Sequence, residues 1–600
     1  MPFSLTGYLL GNFPLLVSIV RMTTAIDTGV IFIFSLFVLF IGILFARTGR
    51  NMKSFFAGGE AVPWFIGGLS LFMSFFSAGT FVAWGSIAYK YGWVSVTIQW
   101  TMCLGGLVTA LFLAPRWKRT GALTAAAFIK ERLGVPVQQF YIFIFMLVSL
   151  VNKGAVLYPV AKLVSVSLGF PLEACTLVLG VMMIAYTAIG GLWAVMVTDI
   201  LQFVILTAAV LIVLPLSLNA AGGWQSFTAK VPPDFFQALN GEYTIGFILA
   251  FTLYHICYIG GNWTFVQRYT SVDSPKSAKK VAFLFAALYI ISPVIWMLPP
   301  MIYKSINPSL QGLDAENAYL QVCRLVLPSG LMGLMLTGMY FSTSATANTT
   351  LNVTAAVFTN DIYKGWINPT ASQQQLIRMA RLSSFILGAG MIGIALLVPA
   401  AGGMIEVVLT IAAITGGPLL LPPVWALFFK RLSGKAAYII TAACLLVNLC
   451  FKFITPWLMD LRLSRAAEML LGVALPLIML AVYEFMIASR NAASQDYLQY
   501  QAYRRQQQQR AAEDVAETEA VHRQNLFGLR VIAFALGFTA LLLYVLGMIA
   551  ATGNALVAGI ATAILLAALV PLRAANRLKR RLQIETAGKT PSPPVVTNAG

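Results

Sequence analysis

The residues best suited to chemistry lie in one polar stretch, 342–364, which continues an apolar run with the composition of a membrane helix. Ser342, Thr346, Thr350 and Thr354 recur at every fourth position, so a helix would align their hydroxyls in one slowly drifting stripe. Hydrocarbon offers such a stripe no hydrogen-bond partner. The pattern therefore predicts contact with a desolvated ion, a solute or a neighbouring helix.

Two other apolar segments, 67–80 and 255–264, are interrupted by small and polar residues. They lie five predicted spans apart and would cross the bilayer in opposite senses. Interrupted helices at matching places of two inverted halves indicate a secondary-transporter site, because the broken backbone leaves groups that ions or substrate must satisfy. A single glycine in a span is more often a packing contact, so the indication depends on the pair.

The elements that position these residues are membrane helices. The chain has 600 residues, of which 59% are hydrophobic and 10% are charged. In an ordinary soluble protein about a quarter of the residues are charged. Apolar runs of roughly 17 to 25 residues predict about fifteen transmembrane helices. These runs lie near 27–47, 62–88, 93–115, 136–168, 171–190, 191–217, 243–267, 281–303, 326–360, 380–400, 404–428, 436–456, 467–487, 528–550 and 552–572.

The formal net charge of +19 follows the topology of these spans. Basic residues cluster at alternate span ends, as the positive-inside rule requires, so nucleic-acid binding is not expected. The pattern predicts a multi-pass protein of the cell inner (plasma) membrane with its N-terminus outside and its C-terminus cytoplasmic. The clusters lie at 47–53, 116–132, 268–280, 364–381, 430–435 and 573–581.

Enzyme chemistry is not expected from this composition. The six cysteines are scattered without a CxxC or Cys/His cluster, so neither a zinc site nor a disulfide framework is indicated. With two histidines in the chain, no Ser/His/Asp constellation is supported. Residues 1–21 are a weak match to a signal peptide, and Met22 is an alternative start.

Four motifs resemble the sodium:solute symporter family, in its sodium/glucose-cotransporter-like group and bacterial branch. They keep their order over about residues 27–487. The resemblance implies an all-α polytopic membrane fold, a LeuT-like five-plus-five inverted repeat with broken core helices 1 and 6 and about 15 transmembrane helices. It also implies sodium-driven uptake by alternating access. The motifs are FFAGGEAVPWFIGGLSLFMSFFSAGTFVAWGSIAYKYG, AYTAIGGLWAVMVTDILQFVIL, GGNWTFVQRY and TTLNVTAAVFTNDIYK.

The resemblance implies a sodium site between the first and eighth core helices. Backbone carbonyls would come from Met73 and Phe76, and side-chain oxygens from Ser342 and Thr346. Such oxygens suit a hard cation without burial of a full negative charge. Ala345 stands where the family has a hydroxyl, so either a neighbour such as Thr343 or Thr349 compensates or sodium binds more weakly.

Two charged positions of the family motifs are also present. Asp199 matches the intramembrane aspartate near the inner end of the sodium path, and we expect it to meet an ion, a hydroxyl or a cation. An aspartate at a helix end in the interface is the alternative. Lys153 occupies a recurrent basic position of the third core helix, either as a structural counter-charge or as a contact for an anionic substrate.

The sugar-binding positions of the family are mostly exchanged. Phe75, Thr80, Gln99 and Tyr289 replace polar or charged residues of the sugar carriers, and Asn262 alone keeps its identity. The exchange argues against a glucose or galactose carrier and leaves a sugar, a sialic-acid-like solute, a carboxylate or a similar small organic solute open. The predicted substrate-binding residues are Ser74, Phe75, Ser77, Thr80, Gln99, Lys153, His255, Asn262, Trp263 and Tyr289.

His255 and Trp263 each have a packing alternative. The imidazole of His255 could change charge near neutral pH and so couple protons or bind substrate, but a lone membrane histidine is more often a packing residue. Trp263 could close over a substrate as a gate, although aromatic residues in spans usually serve packing. Proton-coupled or uncoupled transport is thus an alternative to sodium coupling.

The predicted organisation has five parts. A solute sensor that signals through the C-terminal region is a further alternative function, and the oligomeric state is open. The last two spans are expected to pack on the core or to offer an interaction surface. The parts are an N-terminal extension (1–26), a thirteen-helix symporter core (27–487), a polar cytoplasmic connector (488–527), two added transmembrane helices (528–572) and a cytoplasmic tail (573–600).

Overall fold

The computed structural model describes residues 25–46, 62–122, 124–186, 192–343, 358, 363, 367–488, 493–511, 517–550 and 553–587. All regular elements in these ranges are helices. As far as an interruption at Asn262, the chain forms α1 (Ala25–Ala46), α2 (Trp64–Met73), α3 (Gly85–Tyr91), α4 (Val94–Val108), α5 (Ala114–Thr120), α6 (Ala125–Leu133), α7 (Val135–Leu168), α8 (Leu172–Tyr186), α9 (Leu192–Ala220), α10 (Gly223–Lys230) and α11 (Ile245–Gly261).

After Asn262 the chain continues with a further series of helices. They are α12 (Trp263–Thr270), α13 (Pro275–Ile306), α14 (Ala318–Val326), α15 (Leu331–Thr343), α16 (Gln373–Leu397), α17 (Met404–Ala426), α18 (Gly434–Leu449), α19 (Thr455–Met459), α20 (Arg465–Ala488), α21 (Gln495–Ala511), α22 (Glu517–Ile549), α23 (Asn554–Ala567) and α24 (Leu569–Ala587). Wider π-helical turns, Thr80–Trp84, Thr109–Leu113 and Cys450–Ile454, precede α3, α5 and α19 respectively, and a 3₁₀ turn, Gly312–Asn317, precedes α14.

Many helices of the described residues have membrane-spanning length and composition. Nine are long and apolar enough to cross a bilayer, and the bent pair α11 and α12 makes ten when it counts as one span. Five shorter apolar helices in the same ranges lie at the remaining predicted spans. The protein is thus a multi-pass helical membrane protein, while the total of fifteen spans stays a prediction.

Two groups of helices surround the centre. In the first group α4 packs against both α11 and α13, and α13 also contacts α2. In the second group α7, α8 and α16 pack against one another. The interrupted helices therefore belong to the first group, while α7, which carries Lys153, belongs to the second.

A second hydrophobic core joins the two ends of the chain. Side chains of α1 and of the terminal helices α22 and α23 are buried together with side chains of α9 and of the start of α15. The rings of Phe37 and Phe538 stack with their centroids 3.9 Å apart. The last two spans therefore pack on the core, which was one of the two roles expected from the sequence.

The predicted polar connector contains a docked helix, α21. The two terminal guanidinium nitrogens of Arg132, at the end of α6, donate to the carbonyls of Phe429 and Leu432 at 3.0 and 3.1 Å. The same guanidinium lies 5.0 Å from the ring centre of Tyr497 in α21. Asp496 accepts a hydrogen bond of 2.8 Å from the backbone of Gly434. These contacts hold α21 against α6, which itself touches α12.

We expect Gly417→Ala to destabilise the packing of α17 on α20. A Cβ at Gly417 would lie 2.1 Å from the carbonyl oxygen of Gly472, which is backbone and cannot move aside alone. Overpacking of this kind costs about 1–3 kcal/mol. The measurement is thermal unfolding of the purified protein in detergent.

Gly393→Ala in α16 is the matched control, because nothing lies within 4 Å of a Cβ built there. The control should unfold at the wild-type temperature or slightly above it, since alanine favours helix over glycine. Equal unfolding temperatures for Gly417→Ala and Gly393→Ala would contradict the close approach of the two backbones.

Candidate functional site

The first break of the chain lies directly after α2. The helix ends at Met73, residues 74–77 are not helical, and the chain becomes helical again at Ala78. The amide of Phe76 donates to the Met73 carbonyl at 3.0 Å. The hydroxyl of Ser342, in α15, donates to the Phe76 carbonyl at 2.9 Å, and Ser342 is only 2% exposed. The structure therefore brings together three of the predicted sodium ligands, Met73, Phe76 and Ser342.

The hydroxyl of Thr343 is already engaged in this contact. It accepts a hydrogen bond of 3.0 Å from the amide of Ala78 and donates one of 2.9 Å to the Met339 carbonyl. Thr343 therefore fastens α15 to the chain just after the break, and its proton is in use. Positions 345, 346 and 349 lie outside the described residues, so the Thr346 assignment and the effect of Ala345 stay predictions.

Three other predicted residues of the first break bind locally. The Ser74 hydroxyl donates to the Ser70 carbonyl at 2.7 Å, and the Thr80 hydroxyl donates to the Phe75 carbonyl at 3.2 Å. The Ser77 hydroxyl accepts a 3.1 Å hydrogen bond from the amide of Gly79. The Ser77 and Thr80 hydroxyls thus bond backbone groups of the break, and the Ser70 carbonyl accepts from the Ser74 amide as well as from its hydroxyl.

The second break is centred on Asn262. The backbone leaves the helical conformation there, with φ −65° and ψ 130°, and the axes of α11 and α12 differ by 54°. The Asn262 side-chain oxygen accepts from the Thr264 amide at 3.0 Å and so caps α12. An asparagine cap satisfies a helix N-terminus that has no preceding turn. Asn262 thus stabilises the break in this conformation.

Aromatic rings connect the two breaks. Phe75 stacks on Phe265 with ring centroids 4.3 Å apart, and its ring also contacts Tyr258. Tyr289 of α13 contacts Phe75 and Phe76, at centroid distances of 6.3 and 6.2 Å. A solute that enters between the breaks would have to displace or stack on these rings.

Gln99 and Gln202 are buried amides with unmet hydrogen-bonding capacity. Gln99 is 2% exposed, and among the described residues its side-chain nitrogen has no partner. Gln202 is 1% exposed, and neither of its side-chain amide atoms has a partner in that same part of the chain. An unsatisfied buried group costs roughly 1–3 kcal/mol, so both are candidates for contact with a solute, ion or water. Gln202 belongs to the Thr-Asp-x-x-Gln motif but was not among the predicted site residues.

Of the remaining predicted substrate residues, two have packing partners and one has a side chain that the structure does not describe. His255 shares a 2.7 Å hydrogen bond with the Thr101 hydroxyl and packs against Phe251. Trp263 packs on Phe145 of α7, with centroids 4.3 Å apart. Lys153 lies on α7, and its side chain is outside the described set. The contacts of His255 and Trp263 agree with the packing alternatives, and their substrate roles stay predictions.

Asp199 has a cation and a hydroxyl as partners. Its carboxylate accepts from the Ser70 hydroxyl at 2.6 Å and lies 3.7 Å from the terminal nitrogen of Arg268. The Nε of Arg268 in turn lies 3.3 Å from the Ser70 hydroxyl, and another guanidinium nitrogen donates to the Thr264 carbonyl at 3.1 Å. This cluster ties α2 and α12 to α9. The expectation that Asp199 meets a hydroxyl or a cation fits this geometry.

The sequence interpretation had assigned Arg268 to a topological cluster rather than to the site. Arg268 is 2% exposed and pairs with Asp199 inside the helix assembly, so it is a partner of a buried carboxylate as well as a member of the basic cluster. Its position six residues after Asn262 was the available signal, because an arginine so close to the break can reach the neighbouring helices.

A second buried ion pair joins α7 to the 3₁₀ turn. The Lys162 ammonium lies 2.7 Å from the Glu316 carboxylate, and their side chains are 12% and 3% exposed. The Tyr158 hydroxyl also donates to Glu316, at 3.1 Å. Lys162 further donates to the Leu313 carbonyl at 2.8 Å. This pair therefore anchors the segment between α13 and α14 to the second helix group.

The most informative curated relatives are sodium-coupled carriers. The chain is 25% identical to the sodium/glucose cotransporter of Vibrio parahaemolyticus over 71% of this chain and 85% of that protein. It is 29% identical to the sodium/iodide cotransporter of Homo sapiens over 64% of this chain and 62% of that protein. It is 23% identical to the sodium/sialic acid symporter SiaT of Proteus mirabilis over 69% of this chain and 87% of that protein.

The fold is similar to a solved structure of a sodium-coupled sialic acid symporter in a substrate-bound, outward-open state. The TM-score is 0.64 at 20% identity, over 78% of this chain and 99% of the other. The family model described as "Sodium:solute symporter family" matches residues 55–442, which include both breaks, Asp199 and Ser342. The chain therefore belongs to the sodium:solute symporter family.

Proposed function

We propose that the protein takes up a small organic solute together with sodium, by alternating access on a LeuT-like five-plus-five inverted repeat with broken core helices. The observation that carries the proposal is the meeting of the Phe76 carbonyl with the Ser342 hydroxyl, 2.9 Å apart, at the first break. Two ligand oxygens so close together can turn toward one cation.

Family membership supports the general part of this function. The family consists of transporters and not of enzymes, its members are multi-pass membrane proteins, and sodium is the coupling ion of the relatives described above. These relatives carry glucose, iodide or sialic acid, as their names state. We therefore propose a small organic solute as the substrate, in a class that includes sugars, sialic-acid-like solutes and carboxylates.

Sodium coordination would draw on uncharged oxygens only. The Met73 and Phe76 carbonyls lie in a stretch without regular helical bonding, and Ser342 approaches them from α15. Thr346, four positions further along the sequence and predicted on the same helix face, would complete the set. Hard cations favour such oxygen ligands. Bound sodium would supply the positive charge that holds α15 against the first break.

The two buried ion pairs suit the two gates of an alternating-access carrier. Lys162 lies near the end of α7, whereas Asp199 lies near the start of α9. With α7 and α9 crossing in the same sense, as the single intervening crossing of α8 requires, the pairs would lie at opposite ends. Each pair joins one helix group to another segment, so each must open in turn. The basic end that contains Arg268 would be cytoplasmic.

We expect Ser342→Ala to raise the sodium concentration for half-maximal uptake about tenfold, the equivalent of about 1.4 kcal/mol of lost binding. The substitution removes one oxygen from the site and leaves α15 otherwise intact. Uptake into proteoliposomes at varied sodium is the measurement. Thr346→Ala should act in the same direction, and Thr354→Ala should act less.

Thr337→Ala is the matched control for this prediction. Thr337 is also buried in α15, but its hydroxyl bonds the Gly333 carbonyl of its own helix at 2.7 Å. The control should keep the wild-type sodium dependence. If Ser342→Ala and Thr337→Ala were both indistinguishable from wild type, the assignment of the sodium site would be wrong.

A further inference from the structure

The first and last spans of the chain lie outside the region that the family model matches. The match covers residues 55–442, whereas α1 ends at Ala46 and α22 begins at Glu517. Both nevertheless share one hydrophobic core with α9 and the start of α15. Helices α1 and α22 thus pack on the start of the helix that carries Ser342.

Asp27 of α1 makes polar contacts with the start of α15. Its Oδ1 accepts hydrogen bonds from the amides of Gly330 and Gly333, at 2.7 and 2.9 Å. Asp27 is 4% exposed. The first amides of a helix have no partner within the helix, and a negative charge there is favourable. A carboxylate from another helix therefore caps α15.

Glycine is required on the α15 side of this contact. A Cβ at Gly333 would lie 2.4 Å from the Asp27 carbonyl oxygen. Gly330 has a φ of +88°, and a Cβ there would lie 2.5 Å from Leu546 of α22 and 3.0 Å from Ile26 of α1. The start of α15 is thus enclosed by the first span on one side and by the terminal pair on the other.

The position of this enclosed end decides where Ser342 lies. Helix α15 is continuous from Leu331 to Thr343, so Gly333 and Ser342 are separated by about 13 Å of helix rise. Between them, a Cβ at Gly338 would lie 3.2 Å from Leu206 of α9, which limits sideways movement. A shift at Gly333 therefore moves the whole of helix α15 and alters the contact of Ser342 with Phe76.

We infer that α1 and the terminal helices α22 and α23 form a brace that sets the position of the ion-binding helix, and that Asp27 is its positioning residue. The inference rests on the proposed function, because it assumes that Ser342 binds sodium. It gives α1, α22 and α23 a role in coupling that packing alone would not require.

The test compares sodium-dependent uptake by Asp27→Ala and Asp27→Asn proteoliposomes, normalised to the amount of folded protein. Alanine removes the acceptor, so the half-saturating sodium concentration should rise about tenfold while the maximal rate at saturating sodium stays within about twofold. Asparagine keeps the acceptor oxygen, and it should restore the sodium dependence to within about threefold of wild type.

Gly537→Ala in α22 is the control, since nothing lies within 4 Å of a Cβ there, and it should behave as wild type. Leu546→Ala loosens the brace without touching Asp27, and it should raise the half-saturating sodium concentration about threefold. If Asp27→Ala does not fold, the sodium dependence of Leu546→Ala tests whether the brace sets sodium affinity.

Wild-type sodium dependence in folded Asp27→Ala, or in Leu546→Ala, would overturn the brace. A wild-type protein whose uptake ignores sodium would instead overturn the proposed function, so the two failures are distinguishable. A purely structural role would lower the yield of folded protein and leave its sodium dependence unchanged.

Discussion

Arg268→Ala is expected to abolish transport and to lower the stability of the protein by about 3–5 kcal/mol, the usual cost of removing one partner from a buried ion pair. Asp199 is 7% exposed and would lose its only cation among the described partners. The Ser70 hydroxyl would remain, but one hydroxyl cannot offset a buried charge. Thermal unfolding and uptake in proteoliposomes measure the two effects.

The double variant Asp199→Asn with Arg268→Gln separates stability from function. With both charges removed, stability should return to within about 1 kcal/mol of wild type, since neutral buried pairs carry little desolvation cost. Transport should remain lost if opening depends on the charge pair. Lys279→Ala, at an exposed position, is the control for general loss of positive charge. Full transport activity of Arg268→Ala would show that the pair of Asp199 and Arg268 is not a gate.

Glu316→Gln is expected to favour opening of the proposed gate that Lys162 and Glu316 form, at the end opposite to Asp199 and Arg268. Lys162 would then lose the carboxylate that lies 2.7 Å away, which weakens the closed arrangement. A loss of about 3 kcal/mol changes the ratio of closed to open molecules by about a hundredfold. The labelling rate of Ser77→Cys by a membrane-impermeant thiol reagent should rise at least tenfold, in a background without the native cysteines.

Glu242→Gln is the matched control for this labelling experiment. Glu242 lies 3.2 Å from Arg465, but both side chains are about one-third exposed. Exposed pairs contribute about 0–1 kcal/mol, so labelling should stay within about threefold of the parent protein. Equal labelling in Glu316→Gln and Glu242→Gln would show that the Lys162 pair is not a gate.

The two interruptions could be predicted from the sequence because their causes are local, while their role as broken core helices of a five-plus-five repeat stays a prediction. Runs of small and polar residues at 67–80 and 255–264 weaken a membrane helix wherever it packs, and the structure interrupts the chain at residues 74–77 and at Asn262. Spans and charge clusters are likewise local in origin. The meeting of Phe76 with Ser342 came from the family resemblance, since no periodicity joins residues 266 positions apart.

The ion pairs and the brace could not be predicted from local pattern. Lys162 and Glu316 are 154 positions apart, and Glu316 lies in a short turn without a distinctive motif. Arg268 looked like one member of a basic cluster, and only tertiary packing shows that it is buried. The terminal pair looked like an appendage, yet Leu546 contacts Gly330 at the start of α15. Such contacts depend on how helices assemble.

Solute-induced current on a supported membrane distinguishes sodium-coupled transport from transport that does not depend on sodium. Sugars, sialic acids, carboxylates and amino acids are applied to the reconstituted protein in sodium or in potassium at equal ionic strength. We expect at least one of these solutes to give a current in sodium and no current in potassium, and Ser342→Ala to move this current to about tenfold higher sodium. Equal currents in sodium and potassium would rule out sodium-coupled transport.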